Sequence, residues 1–323
     1  VSGSREASTM SYVSHLQELH GLPAFDFPVL GVERELPEAG AVAWRLVLDY
    51  YGDSGEVEFE KLWDRFLGSV EPAGVRALVI GQWGEGYGDD SEDVVRCLVD
   101  ARERFPALRA VFIGDLEMEE AEISWIEQSD VTPVLTAYPR LEEFGIRGGS
   151  GLLFPAVRHE HLRTLRFEAG GLPGEVVRGV AASELPALEQ LEMWLGVEEY
   201  GGDATVADLA PILDGGRFPA LRHLGLRNSE IQDEIAAAVA GAPLVSRLTS
   251  LDLSLGTLSD EGVTALLGGR PLTHLERLDL HHNYVTEPVA QRIRAALEPS
   301  GVEIDLSEHN DEDIDDRYTA VAE

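Results

Sequence analysis

Three aspartates recur at one place in a pattern. Asp252, Asp279 and Asp305 each sit between two aliphatic residues, at intervals of 27 and 26 residues, and His281 follows Asp279 by two. Carboxylates and an imidazole on neighbouring strands form a donor set for a divalent cation, and so for metal-dependent hydrolysis. The plainer reading is a row of solvated aspartates, and it carries more weight. A second group is basic. Arg147, Arg166 and Arg227 fall in the middle of the chain with His223, beside Glu192 and Trp194. Arginine pairs in a plane with carboxylates and stacks on aromatic rings, which suits recognition of an acidic protein segment. A third group lies in two loops, G-Q-W-G-E-G-Y-G-D-D (81–90) and E-M-W-L-G-V-E-E-Y-G-G-D (192–203). Each brings a Trp and then a Tyr, Trp83 with Tyr87 and Trp194 with Tyr200, and such residues anchor protein interfaces.

What positions all three groups is a repeat. Leu248, Leu251 and Leu253 match Leu275, Leu278 and Leu280 in type and spacing, 27 residues apart. The same L-x-x-L-x-L spacing is met by Val75, Leu78 and Ile80, by Leu108, Val111 and Ile113, and by Leu141, Phe144 and Ile146. It continues through Leu162, Leu165 and Phe167, through Leu188, Leu191 and Met193, and through Leu221, Leu224 and Leu226. A first unit is read at Ala43, Leu46 and Leu48 and a degenerate last one at Gly301, Ile304 and Leu306. Units this long hold a strand and then a helix. Apolar residues at helical spacing predict helices over 59–67, 91–99, 204–213, 233–240, 259–267 and 286–297, with Ser91, Ser259 and Thr286 as N-caps. The short unit from Leu141 leaves room for a helical turn near Phe154 to Val157.

This pattern resembles the ribonuclease-inhibitor-like branch of the leucine-rich-repeat superfamily, over about residues 41–307. The resemblance implies an α/β solenoid shaped as a horseshoe, with about ten parallel strands on the concave face and helices on the convex face. The family often places Asn three residues after the third core position. Here Asn283 fits, while Gly149, Gly170, Gly196 and Gly256 stand there in other units. H-L-Q-E-L-H-G-L-P, A-V-A-W-R-L, V-R-A-L-V-I-G-Q-W and the ending R-Y-T-A-V-A-E further resemble an uncharacterised, largely actinobacterial leucine-rich-repeat family. That resemblance implies an association with enzymes of a shared gene cluster.

Composition narrows the partners. The formal net charge is −34, and Lys61 is the sole lysine. Long-range repulsion argues against nucleic acid and anionic membranes as partners. Cys97 is the single cysteine, so neither a disulfide framework nor a cysteine metal cluster is expected. No apolar stretch is long enough to span a bilayer, which makes a cytoplasmic protein the expectation. Residues 1–10 read as a tag remnant or alternative start, 11–40 as an N-terminal cap and 308–323 as an acidic tail. Tyr318 and Val321 of that tail are expected to cover the edge of the last strand.

No phosphate loop, nucleophile elbow or zinc spacing is present in the sequence. The expected function is therefore a non-catalytic protein- or peptide-binding scaffold, more often monomer than oligomer and without a cofactor. Arg147, Arg166, Glu192, Trp194, His223 and Arg227 form its expected contact zone, with Gly145 and Gly225 leaving space above them. The loops at Trp83, Tyr87 and Tyr200 are the alternative surface. A metal-dependent hydrolase and a purely structural spacer are the competing readings.

Overall fold

The structure is a computed structural model that describes residues 12–49, 58–84, 88–309 and 317–323. One twelve-stranded sheet runs in chain order. Its strands are β1 (Glu18–Leu19), β2 (Leu22–Asp26), β3 (Ala43–Leu46), β4 (Ala77–Ile80), β5 (Ala110–Ile113) and β6 (Glu143–Arg147), then β7 (Thr164–Glu168), β8 (Gln190–Gly196), β9 (His223–Ser229), β10 (Ser250–Asp252), β11 (Arg277–Asp279) and β12 (Glu303–Asp305). The first pair is antiparallel and every later neighbouring pair is parallel.

Parallel neighbours need a crossover between them. Eight α-helices among the described residues supply it for eight of the ten parallel pairs, all but β2–β3 and β6–β7: α1 (Phe59–Ser69), α2 (Glu92–Asp100), α3 (Thr132–Ala137), α4 (Gly174–Ala182), α5 (Val206–Leu213), α6 (Gln232–Gly241), α7 (Asp260–Gly268) and α8 (Glu287–Leu297). The chain is thus an α/β array of solenoid-like build. All six expected helices form, and α3 and α4 are additional. No helix among the described residues is long and apolar enough to cross a membrane.

The core lies between the helices and one face of the sheet. Nine of the ten leucine-type triplets pair in the expected register, as in Leu224↔Leu251↔Leu278↔Ile304. The first unit does not. Trp44 pairs with Leu78 and Leu46 with Ile80, so the second and third core positions of this unit are Trp44 and Leu46, two residues earlier than expected. A shift of two preserves which face each residue occupies, so the apolar pattern tolerates both registers. On the opposite face of this strand Arg45 pairs with Val79.

Two local expectations also change. Residues 154–157 adopt no regular secondary structure rather than a helical turn, and buried Phe154 meets Phe167 edge-on at 5.3 Å between ring centroids. Helix α4 lies so close that a Cβ on Gly179 would collide with the Phe154 carbonyl oxygen. Helix starts are tied across repeats more than within them. Asp233 accepts from the Ser259 N–H (2.8 Å) and the Gly262 N–H (3.1 Å), and Asp260 accepts from the Thr286 N–H (2.8 Å). Ser259 caps α7 through the Glu261 N–H at 3.1 Å, whereas the Ser91 and Thr286 side chains make no cap bond of their own. Asn283 acts as expected, donating to the Leu253 and Leu280 carbonyls and accepting from the Leu258 N–H.

Candidate binding face

Alternation along each strand sends every second side chain to the face turned away from the helices. Over β3–β5 these residues are Ala43, Arg45, Ala77, Val79, Ala110 and Phe112. All but Arg45 are apolar, and they are buried under Leu16, Leu19 and Leu22 of the lead-in. The Phe112 ring lies over Gly145, so the space expected above that glycine is filled from within. Gly225 is similar, because the Glu192 side chain sits 3.0 Å from where a Cβ would stand.

Residues 12–19 form an arm across this face. The Tyr12 hydroxyl donates to Glu308 beyond β12, and its ring packs edge-on to His282 at 5.4 Å. Farther along, the arm is held by its backbone. Arg45 donates to the Leu16 carbonyl, Arg147 donates to the Ser14 carbonyl at 3.0 Å, and the Leu16 N–H donates to Asp115 at 2.9 Å. Asp115 is fully buried (0% exposed) and also accepts from Arg45 Nε at 2.7 Å, with Arg147 Nη1 at 3.6 Å. A buried charge this deep persists because it is paired. His15 approaches the same carboxylate at 3.4 Å and Glu120 at 3.3 Å, and His20 approaches Glu143 at 3.6 Å.

From β6 onward the face is charged and self-paired. Arg147 is 3% exposed and bonds Glu168 at 2.8 Å. Arg166 reaches Glu192 at 3.7 Å, Glu192 accepts from Arg227 at 2.6 Å, and Arg227 meets Asp252 at 3.3 Å. Arg227 also lies 5.2 Å from the Trp194 ring centroid, and the Trp194 N–H donates to Glu192 at 3.0 Å. Burial pushes the Glu192 carboxyl up, but Arg166 and Arg227 outweigh it and hold its pKa at about 2. Burial lifts Asp252 above its ordinary range, despite Arg227. His223 is lowered by burial, and its Nδ1 sits 3.0 Å from the Ser250 hydroxyl.

The expected contact zone is therefore split. Arg147 and Trp194 (4% exposed) lie buried, each engaged by neighbours, and do not face solvent. The Arg166 side chain remains 32% exposed, and His223, two strands away, is half-buried. Trp83 packs against the array and donates to the Asp89 carbonyl at 3.0 Å, while the Tyr200 hydroxyl donates to Glu323 at 2.5 Å. Tyr87 lies outside the described residues. Arg45, Asp115 and Asn228 were missed. Each acts through partners distant in the chain.

Of the four residues expected for a metal, Asp279, His281 and Asp305 come together, with donor atoms within 4.8 Å of one another. Asp252 instead turns to Arg227. Arg277 donates to Asp279 at 2.8 Å and lies 3.9 Å from Asp305, and His281 Nδ1 is 2.6 Å from Asp279. Burial opposes ionisation of Asp279, but His281 and Arg277 hold its pKa at about 2. A cation here would compete with the Arg277 guanidinium for Asp279.

Of the C-terminal tail, the described residues 317–323 do not cover β12. It runs back over the ends of β8–β10. Ala320 N–H donates to the Leu255 carbonyl at 2.8 Å, and Asn228 bonds both the N–H (3.0 Å) and the carbonyl of Val321. Asn228 does so in the left-handed region, φ 54°. Val321 is buried with Val13, Leu116, Ile123, Ile126, Trp194 and Leu255, whereas Tyr318 is exposed.

The geometry has a counterpart among solved structures. A Bacteroides fragilis protein, a structural-genomics target, superposes with a TM-score of 0.78 at 31% identity, over 85% of this chain and 76% of that one. The chain belongs to the same family as that protein. No family model and no curated protein matches the sequence. Membership of this family fixes the shared fold, and the chemistry of the face is read from this chain's own residues.

Proposed function

We propose that the chain is a leucine-rich-repeat horseshoe of the ribonuclease-inhibitor-like type that serves as a non-catalytic protein- or peptide-binding scaffold. The observation that carries this is the strip across β7–β11 on the helix-free face. There Arg166, Gln190, His223, Ser250 and Arg277 reach solvent from fixed strand positions, over a row of ion pairs that holds their backbone and charges in place. A rigid, preformed polar surface costs little to order on binding. Arg166 and Arg277 (48% exposed) supply the guanidiniums that an acidic segment would pair with, in place of the buried Arg147. The guanidinium between Asp279 and Asp305 stands against the metal-dependent hydrolase.

The test is affinity capture from lysate of the organism that encodes the chain. Wild type is compared with the double variant Arg166→Glu, Arg277→Glu. A partner held by the strip is lost from the variant, with its fold intact by circular dichroism. A partner recovered equally by both would move the site elsewhere, and no partner with either would favour a structural spacer.

A further inference from the structure

Residues 12–19 are held as a bound peptide would be held. Their backbone is read by Arg45, Arg147 and Asp115, and those contacts do not depend on the arm's sequence. Their apolar side chains enter two separate pockets. Val13 joins the cluster of Leu116, Ile123 and Trp194, while Leu16 and Leu19 cover Val79 and Phe112. Residues 13–16 adopt no regular secondary structure, and the two-strand turn at His20 and Gly21, both with positive φ, ties the arm to the sheet.

The fit is incomplete. A cleft of about 470 Å³ lies between the arm and β6–β7, with Glu143, Arg147, Arg166 and Glu168 on its sheet side. His15 Nδ1 is buried 3.4 Å from the Asp115 carboxylate without hydrogen-bonding it. The arginines also stay paired without the arm. Arg45 keeps Asp115 and Asp26, and Arg147 keeps Glu168 and Asp115. Lifting the arm exposes apolar surface and frees backbone-reading groups, but strands no guanidinium.

We propose that this groove is a site for an extended peptide with apolar residues at positions 1, 4 and 7, and that residues 12–19 are its resident occupant, displaced when a partner's segment of that pattern binds. Val13, Leu16 and Leu19 carry this spacing in the arm. The inference rests on the binding reading above and names the class of partner segment. It places the segment beside Arg166, at the edge of the open strip.

The test uses the whole chain and a labelled peptide of residues 12–21, Tyr-Val-Ser-His-Leu-Gln-Glu-Leu-His-Gly. The chain's own arm competes at an effective concentration near millimolar. Wild type should therefore bind the peptide at least tenfold more weakly than the variant Val13→Ser, Leu16→Ser, by fluorescence anisotropy. A peptide carrying the same two serines should not bind the variant. Equal binding by wild type and the folded variant, or none by the variant, would overturn the proposal. If the double variant does not fold, Leu16→Ala alone carries the comparison. A partner captured through Arg166 and Arg277, with no gain in peptide binding on loosening the arm, removes the displaced occupant and leaves the scaffold. Peptide binding without any captured partner supports the groove and counts against the strip.

Discussion

Strands β3–β5 and strands β7–β11 present the same side of one sheet in opposite ways. On the first, alanines, Val79 and Phe112 are sealed under the arm, and Arg45 meets a buried Asp115. On the second, arginines and carboxylates pair from strand to strand, largely covered at Glu192, Arg227 and Asp252 and open to water at Arg166 and Arg277. The first region gains from exclusion of water, and its few charges matter because they are dry. The second is held by pairs that offset one another, and single residues at its surface matter little to stability. Burial, more than residue type, sets what a charge is worth in this molecule.

The widest test of that contrast is Asp115→Ala. It leaves Arg45 and Arg147 short of their shared counter-charge in the sealed region, and should cost about 3–5 kcal/mol in chemical denaturation. A loss below 1 kcal/mol would mean water reaches that carboxylate. Acid unfolding probes the charged half. Glu192 has its pKa depressed from 4.5 to about 2, so its contribution is complete above about pH 4.5 and is lost as pH falls through about 2. Glu192→Gln should remove roughly 2–3 kcal/mol at neutral pH and flatten the dependence of the urea midpoint between pH 4.5 and 2. An unchanged slope would place the acid sensitivity on other carboxylates.

At the seam between the two regions, Val321→Ala should cost about 1–2 kcal/mol by trimming the cluster around Trp194. A red shift of tryptophan emission is expected with it. No change in melting or emission would mean the tail does not seal that tryptophan. Smallest of all, Gln190→Ala on the open strip should change stability by less than about 0.5 kcal/mol. A larger loss would show that the strip is sealed by something more than its ion pairs.

The repeat made most of this fold legible. Nine triplets could be placed from apolar spacing alone, because a register error of one residue would have put leucines in water. At Trp44 the error was of two residues, which the pattern cannot detect. The division of the face into apolar and charged parts could also be read from alternation. What covers it could not. The arm is bound through the Ser14 and Leu16 backbone, and backbone groups leave no mark in a sequence. Asp115 sits just past β5, in a loop where acidic residues are usual, and only the fold shows it buried between two arginines.

The meeting of the two ends has a kinetic consequence. In an ordinary array each repeat touches only its neighbours, so terminal repeats can unravel one at a time. Here Val13 and Val321 share a cluster with Trp194 at mid-chain, and Tyr12 bonds Glu308 across 296 positions of sequence. Contacts so far apart in the chain close late in folding, because they wait on everything between them. Once closed, the array cannot unravel repeat by repeat until Val13 and Val321 have left that cluster. An open row of repeats should then melt as a ring does, in one cooperative step, with an unfolding rate set by release of its two ends.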